Sequence, residues 1–136
     1  MSWKVFLRCD TKPEALRAAR KMLYAVAKTE GAPEQVAREI EVALGEALAN
    51  ARLHAYGGGV GHVGIDIVYD GTDLSITVHD HGKPVTGRPT IPSSLPLRGT
   101  GGRGLYLIGQ LMDAAEIVQP DWRGRGTAIR MMRRIH

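Results

Sequence analysis

Two hydrophobic periods alternate along this chain and divide it into helices and strands. Leu16, Ala19, Leu23 and Ala27 recur at helical spacing, with Thr11 placed to cap the helix, Pro13 near its first position and Gly31 to stop it. Ile40, Ala43, Leu44, Ala47 and Ala51 repeat the pattern on a second helix, opened by Pro33 and ending at Tyr56 before Gly57-Gly58-Gly59. Over 60–69 the period becomes two, with Val63, Ile65, Ile67 and Tyr69 alternating against His62, Gly64 and Asp66. Asp70-Gly71-Thr72-Asp73 then reads as a hairpin turn, and Leu74, Ile76 and Val78 as the buried side of the returning strand. Residues 3–9 form a first strand. A helix follows from about 103 to 113, a strand near 115–119, a turn at Asp121-Trp122-Arg123-Gly124 and a last strand near 125–134. Helices gathered beside a mainly antiparallel sheet predict the α+β class, as a two-layer α/β sandwich with helices on one face and residues 1–136 as a single domain.

One stretch has no period. From Gly82 to about Gly102 the chain holds four of its seven prolines, which is long for a structureless loop in a compact domain and predicts a functional or mobile segment. Charge sharpens this picture. The net charge is +4, yet no acidic residue lies between Asp80 and Asp113, while Lys83, Arg88, Arg98 and Arg103 fall inside that window. A basic, glycine-rich loop suits a few phosphates at close range, whereas duplex binding calls for a basic helix or stripe with base-reading side chains. The single Phe leaves no aromatic platform for single strands, so direct nucleic-acid binding is not expected. A second basic run, Arg123 to Arg134, reads as mostly the solvated face of a strand. The lone Cys9 cannot make an internal disulfide and reads as a packed thiol in a reducing compartment. No apolar run is long enough for a membrane span and the N-terminus reads as a strand, so a soluble, cytoplasmic protein is expected.

Three places along the chain carry candidate chemistry. Glu46, Asn50 and His54 are spaced by four on the second helix, on nearly one line at the edge of its apolar stripe. A carboxylate and two polar groups half in a core need partners, and a metal ion with a polyphosphate would supply them. Taken alone, the row is better explained as a solvated helix edge. Asp80 continues the parity of Leu74, Ile76 and Val78, so its carboxylate points inward, and Gly82 allows close approach to the backbone. A flat heterocycle donating an exocyclic amine to Asp80 would satisfy it; a carboxylate capping the turn explains it equally well. Arg98-Gly99-Thr100-Gly101-Gly102-Arg103-Gly104-Leu105 runs into a helix, and its bare amides at the positive helix end form an anion site. It is neither the phosphate loop that ends in Lys-Ser/Thr nor the dinucleotide fingerprint that follows a strand. Thr127 shares strand parity with Ile129 and Met131, which turns its hydroxyl inward as well.

In order, these are Glu-x-x-x-Asn on a helix, Asp-x-Gly after a strand, Gly-x-Gly before a helix and Gly-Thr on a last strand. The set resembles the ATPase superfamily shared by gyrase and histidine kinases, the Bergerat nucleotide fold. The stretch Glu-Ala-x-x-Asn-Ala-x-x-His-Ala-Tyr, with Gly-Arg-Gly-Leu and Leu-Met-Asp, is similar more narrowly to the anti-sigma factor serine/threonine kinases of bacterial partner-switching systems. The resemblance runs from the first strand to Met132. It implies ATP and Mg²⁺ as cofactors. Asn50 would hold the metal, Glu46 would orient or deprotonate the attacking hydroxyl, and His54 would lie among the phosphate contacts. Asp80 would accept the adenine amine, with Gly82 making room for the ring and Thr127 supporting that contact. Arg98, Gly102, Arg103, Gly104 and Leu105 would belong to a mobile lid over the triphosphate. The first box reads Asp-His-Gly-Lys-Pro, with Pro84 where the wider superfamily often has glycine, which alters the hinge of that lid.

The resemblance implies a kinase that moves the γ-phosphate of ATP to a Ser or Thr of an anti-sigma-factor antagonist, with a sigma factor as a further partner and room for a homodimer. A nucleotide-gated module that sequesters a regulatory partner without useful catalysis is the alternative. The catalytic fragment of a sensor histidine kinase ranks lowest.

Overall fold

The computed structural model describes residues 1–82, 90–99, 101–118 and 126–136. The order of elements is β1 (Trp3–Asp10), α1 (Pro13–Thr29), α2 (Glu34–Asn50), a π-helical turn (Ala51–Ala55), β2 (His62–Tyr69), β3 (Asp73–Asp80), α3 (Arg103–Leu111), β4 (Ala114–Val118) and β5 (Thr127–Arg134). The strands form one sheet in the order β1-β2-β3-β5-β4, and each of its described pairings is antiparallel. The turn expected at 121–124 lies outside the described residues.

Register follows from the period-two pattern, because shifting a strand by one residue would turn its whole apolar set to solvent. Leu7, Ile65, Val78, Ile129 and Ile117 form one inward row across the sheet, and Val5, Ile67, Ile76, Met131 and Ala115 form the next. The apolar stripes of the helices cover these rows except at Val5, which is 44% exposed on the edge strand. Leu23, Ile40, Leu44, Leu48 and Ile108 are fully buried against Ile65, Leu74, Ile76 and Met131. At about 1.5–3 kcal/mol for each large side chain taken out of water, this layer is the main force holding helices to sheet. The result is the two-layer α+β sandwich expected from the pattern. Cys9 packs at the edge of the same core, where burial pushes its thiol pKa up and makes it a poor nucleophile.

Two local expectations need correction. Thr11 does not cap α1: the N-cap position is Lys12 and no side chain caps it. Thr11 is buried instead, its hydroxyl donating to Gly59 O at 3.2 Å and accepting the Gly61 N–H at 2.8 Å. It ties the end of β1 to the glycine loop after the second helix, whose buried backbone groups need partners more than an exposed helix start does. The second helix is also not regular to Tyr56. It changes at Ala51 into a π-helical turn, whose i→i+5 bonding breaks the four-residue line. Glu46 and Asn50 remain half-buried, while His54 is exposed. Gly57 and Gly58, both in the left-handed region, then stop the helix.

The described arginines of the C-terminal basic run, Arg130, Arg133 and Arg134, each pair with an acid. Arg130 pairs with Glu116 at 2.9 Å, and Arg134 lies 3.6 Å from Asp73. Arg133 belongs to the inner face rather than the solvated one; it reaches Glu39 on α2 at 2.8 Å and Asp113 at 3.5 Å. Among the described residues no helix is long and apolar enough to cross a membrane.

Candidate functional site

The last inward row of the sheet is Cys9, Val63, Asp80 and Thr127, and it ends in polar groups where the rows beside it are apolar. Asp80 is 5% exposed and Thr127 is 3% exposed. One oxygen of Asp80 accepts the Gly82 N–H at 3.2 Å, so the carboxylate does shape the turn. Burial nevertheless pushes its pKa up, and the backbone N–H groups of Gly82 and Thr127, with His81 and His79, pull it only partly back. Beside it, the Thr127 hydroxyl is buried with no hydrogen-bond partner among the described residues. An orphaned buried hydroxyl costs about 1–3 kcal/mol. A ligand with both a donor and an acceptor at its edge would satisfy the pair.

Close backbone packing frames this pair. A Cβ on Gly126 would stand 2.2 Å from the Asp80 carbonyl oxygen, and its φ of +73° is itself a glycine conformation. A Cβ on Gly82 would stand 2.3 Å from the carbonyl oxygen of Ala55. Gly82 is therefore what lets the end of β3 press against the π-helical turn, joining the Asp80 end of the sheet to the helix of Glu46 and Asn50.

On that helix the side chains of Glu46 and Asn50 make no hydrogen bond among the described residues, although both are half-buried. The start of α3 meets them. A Cβ on Gly104 would lie 2.6 Å from Glu46 Oε2. Gly102, at φ +80°, is the N-cap residue, and the Tyr106 N–H already bonds to its carbonyl at 2.9 Å. The amides of Arg103, Gly104 and Leu105 precede that bond and are orphaned by helix geometry, at the positive end of the helix. A carboxylate, two uncommitted polar side chains and a helix N-terminus are thus gathered at one end of the layer.

The remaining candidates lie around this centre. Arg103 is exposed and donates to the Pro96 carbonyl at 3.0 Å. Arg98 is exposed on the turn before α3, and Leu105 is half-buried against the core, so only its backbone faces the helix start. Of the basic residues expected in this loop, Lys83 and Arg88 lie outside the described residues. Two contributors escaped the sequence reading as site residues. Gly126 was visible as the glycine before Thr127, but its contact with Asp80 is a product of the β3–β5 register. Tyr56, visible only as the end of the His-Ala-Tyr stretch, bonds to the first residue of β2 and to His81, just past the end of β3.

Residues 9–133, nearly the whole chain, match the family described as the histidine kinase-like ATPase domain. The chain belongs to this family. Among its relatives in the histidine kinase-like ATPase family is the serine-protein kinase RsbW of Oceanobacillus iheyensis, 31% identical over 122 residues that span 82% of this chain and 76% of that protein. The serine-protein kinase RsbW of Listeria monocytogenes is 26% identical over 123 residues, spanning 84% and 78%. In fold, the domain is similar to the crystal structure of the RsbU and RsbW domains of Rv1364c from Mycobacterium tuberculosis, with a TM-score of 0.70 at 19% identity. That alignment covers 98% of this chain and 32% of the other, much longer one.

Proposed function

We propose that this ATPase-family domain is an ATP-dependent serine/threonine protein kinase of a partner-switching system, phosphorylating an anti-sigma-factor antagonist and binding a sigma factor. The observation that carries the nucleotide reading is the buried, orphaned hydroxyl of Thr127 beside the buried carboxylate of Asp80. Adenine supplies what that pair lacks: an exocyclic amine to donate to the carboxylate and ring nitrogens to accept from the hydroxyl. The names of the RsbW relatives support the choice of a protein hydroxyl as acceptor.

In this reading the base lies over the Asp80 row and the phosphates extend toward α2 and the start of α3. The donor set suits magnesium. Among the described residues no cluster of three His, Cys, Asp or Glu can hold a metal, so an ion here would rely on phosphate oxygens, water and the amide oxygen of Asn50. Mg²⁺ is held in this way in many phosphoryl-transfer sites, where it neutralises charge between the phosphates. Glu46, which makes no hydrogen bond among the described residues, would orient or deprotonate the attacking hydroxyl, and the orphaned amides of α3 would bind phosphate oxygens. Arg103, one of whose guanidinium nitrogens donates to the Pro96 carbonyl, has further N–H donors for a phosphate.

The deciding experiment is calorimetric titration with ATP and Mg²⁺, followed by phosphotransfer to the small antagonist protein encoded nearest this one. Micromolar binding with transfer to a Ser or Thr of that protein is the expected result. Binding without transfer would replace the kinase with a nucleotide-gated sequestering module, and no binding would overturn both.

A further inference from the structure

Tyr56 joins three elements through one hydroxyl. It follows the π-helical turn, and its OH donates to the His62 carbonyl at 2.8 Å, at the start of β2. The same oxygen accepts the backbone N–H of His81 at 2.9 Å, between Asp80 and Gly82. Its ring lies against Gly61, where a Cβ would stand 2.7 Å from Cδ1, Cδ2 and Cε1. Glycine at 61 is thus the condition for the ring to lie where it does.

The residues it holds matter more than the bonds themselves. The β2–β3 ladder runs out at Val63 and Asp80, so His81 and Gly82 have no strand partner in register. Besides the Asp80 carboxylate on the Gly82 N–H and the His62 ring beside His81, the end of the second helix holds them, with Ala55 against Gly82 and Tyr56 on His81. Helix end and strand end are the two halves of the site, one carrying Asn50 and Glu46 and the other Asp80.

We propose that Tyr56 is a positioning residue of the base-binding end of the site, holding the Asp80–His81 peptide so that Asp80 meets the nucleobase; this rests on the nucleotide reading above. A staple that merely closes the glycine loop 57–61 would make the same contacts in the empty protein. The two roles differ in which ligand feels the loss. The phosphate end is built on α2 and α3, neither of which Tyr56 bonds, so base and phosphate affinities should separate.

Tyr56→Phe removes the hydroxyl and keeps the ring on Gly61. Calorimetry with ADP and with pyrophosphate, both with Mg²⁺, should show ADP weakened about 3- to 10-fold, the range for one neutral hydrogen bond, and pyrophosphate unchanged. Amide exchange at His81 should accelerate in the empty protein. Gly61→Ala, which drives the ring away, should reproduce the selective loss of ADP. Equal weakening of both ligands, or undiminished ADP affinity in Tyr56→Phe, overturns the positioning role and leaves the nucleotide reading intact. A parent protein that binds pyrophosphate but no better binds ADP removes the base site itself, and the role of Tyr56 with it.

Discussion

Gly104 lies against Glu46 so closely that a Cβ would sit 2.6 Å from the carboxylate oxygen Oε2. The contact joins the first turn of α3 to the one acid on the site face of α2, and the atom in the way is the end of a flexible side chain. Gly104→Ala should therefore leave the fold standing, helped by the better helix propensity of alanine, worth about 1 kcal/mol. The carboxylate must swing aside instead. Phosphotransfer should fall by roughly 10²-fold, as for small misplacements of catalytic groups, with ATP affinity within a few-fold of the parent. A melting curve and a single-turnover assay on the same sample check both halves; an unchanged rate would detach Glu46 from the chemistry.

Asp80 works against the empty fold at neutral pH. An acid whose folded-state pKa is raised by burial adds stability below its ordinary value of 3.8 and loses that contribution as pH rises through the folded value. Asp80→Asn should consequently melt higher than the parent at pH 7 without ligand, and the gap should close as pH approaches 4. The same change should weaken ATP by roughly 10- to 100-fold, since a hydrogen bond to a charged group is worth about 1.5–3 kcal/mol, and spare pyrophosphate. Differential scanning calorimetry across pH reads the first effect. A variant less stable than the parent at pH 7 would mean that the turn bond to Gly82 outweighs desolvation.

Thr127 offers a quieter version of the same trade. Its hydroxyl is buried without a partner among the described residues, so Thr127→Val removes an unsatisfied group in a shape the site already accommodates. Chemical denaturation should show stability equal to or above the parent, by up to about 1 kcal/mol. Nucleotide affinity should drop several-fold for adenine and not for pyrophosphate. Lost stability would mean that the Thr127 hydroxyl finds a hydrogen-bond partner in solution without nucleotide.

Asn50→Ala tests the metal. Asn50 is half-buried at the last position of α2 and its side chain has no described partner, so alanine should keep the helix. ATP affinity measured with EDTA should match the parent, and the gain on adding Mg²⁺ should disappear. A normal Mg²⁺ response would leave the half-buried amide as a helix-edge residue and nothing more.

Parity explains why the Asp80–Thr127 pair was legible in the sequence: a strand has a side-chain period of two, so Leu74, Ile76 and Val78 commit Asp80 to the core, and Ile129 and Met131 commit Thr127. The half-buried placement of Glu46 and Asn50 was legible for the matching reason on a helix. The exposure of His54 was not, because Ala-Arg-Leu-His-Ala is compatible with an α-helix and its departure into a π turn accompanies the packing of Ala55 on Gly82, a contact between residues 27 positions apart. The role of Thr11 was hidden likewise: its cap signature is local, while its partners, Gly59 and Gly61, are distant in sequence. The sheet order, with β4 outside β5, is also a long-range outcome that no local pattern encodes.

Glu46→Gln separates kinase from sequestering module. Glutamine keeps the length of the side chain and the ability to accept a hydrogen bond, and it remains compatible with the space left by Gly104. It removes the negative charge and the basic oxygen. Binding of ATP and of the antagonist should therefore survive, while phosphorylation falls by roughly 10²-fold or more, the usual range for a positioned acid–base group. A modest rise in ATP affinity would accompany it, because a carboxylate beside the phosphates is replaced by a neutral amide. The measurement is a time course of phospho-antagonist formed by parent and variant at saturating Mg²⁺-ATP, with binding of both ligands verified on the same preparations. A parent that binds both ligands and forms no phospho-protein is a sequestering module. A variant that matches the parental rate leaves a kinase whose attacking hydroxyl is activated by something other than Glu46.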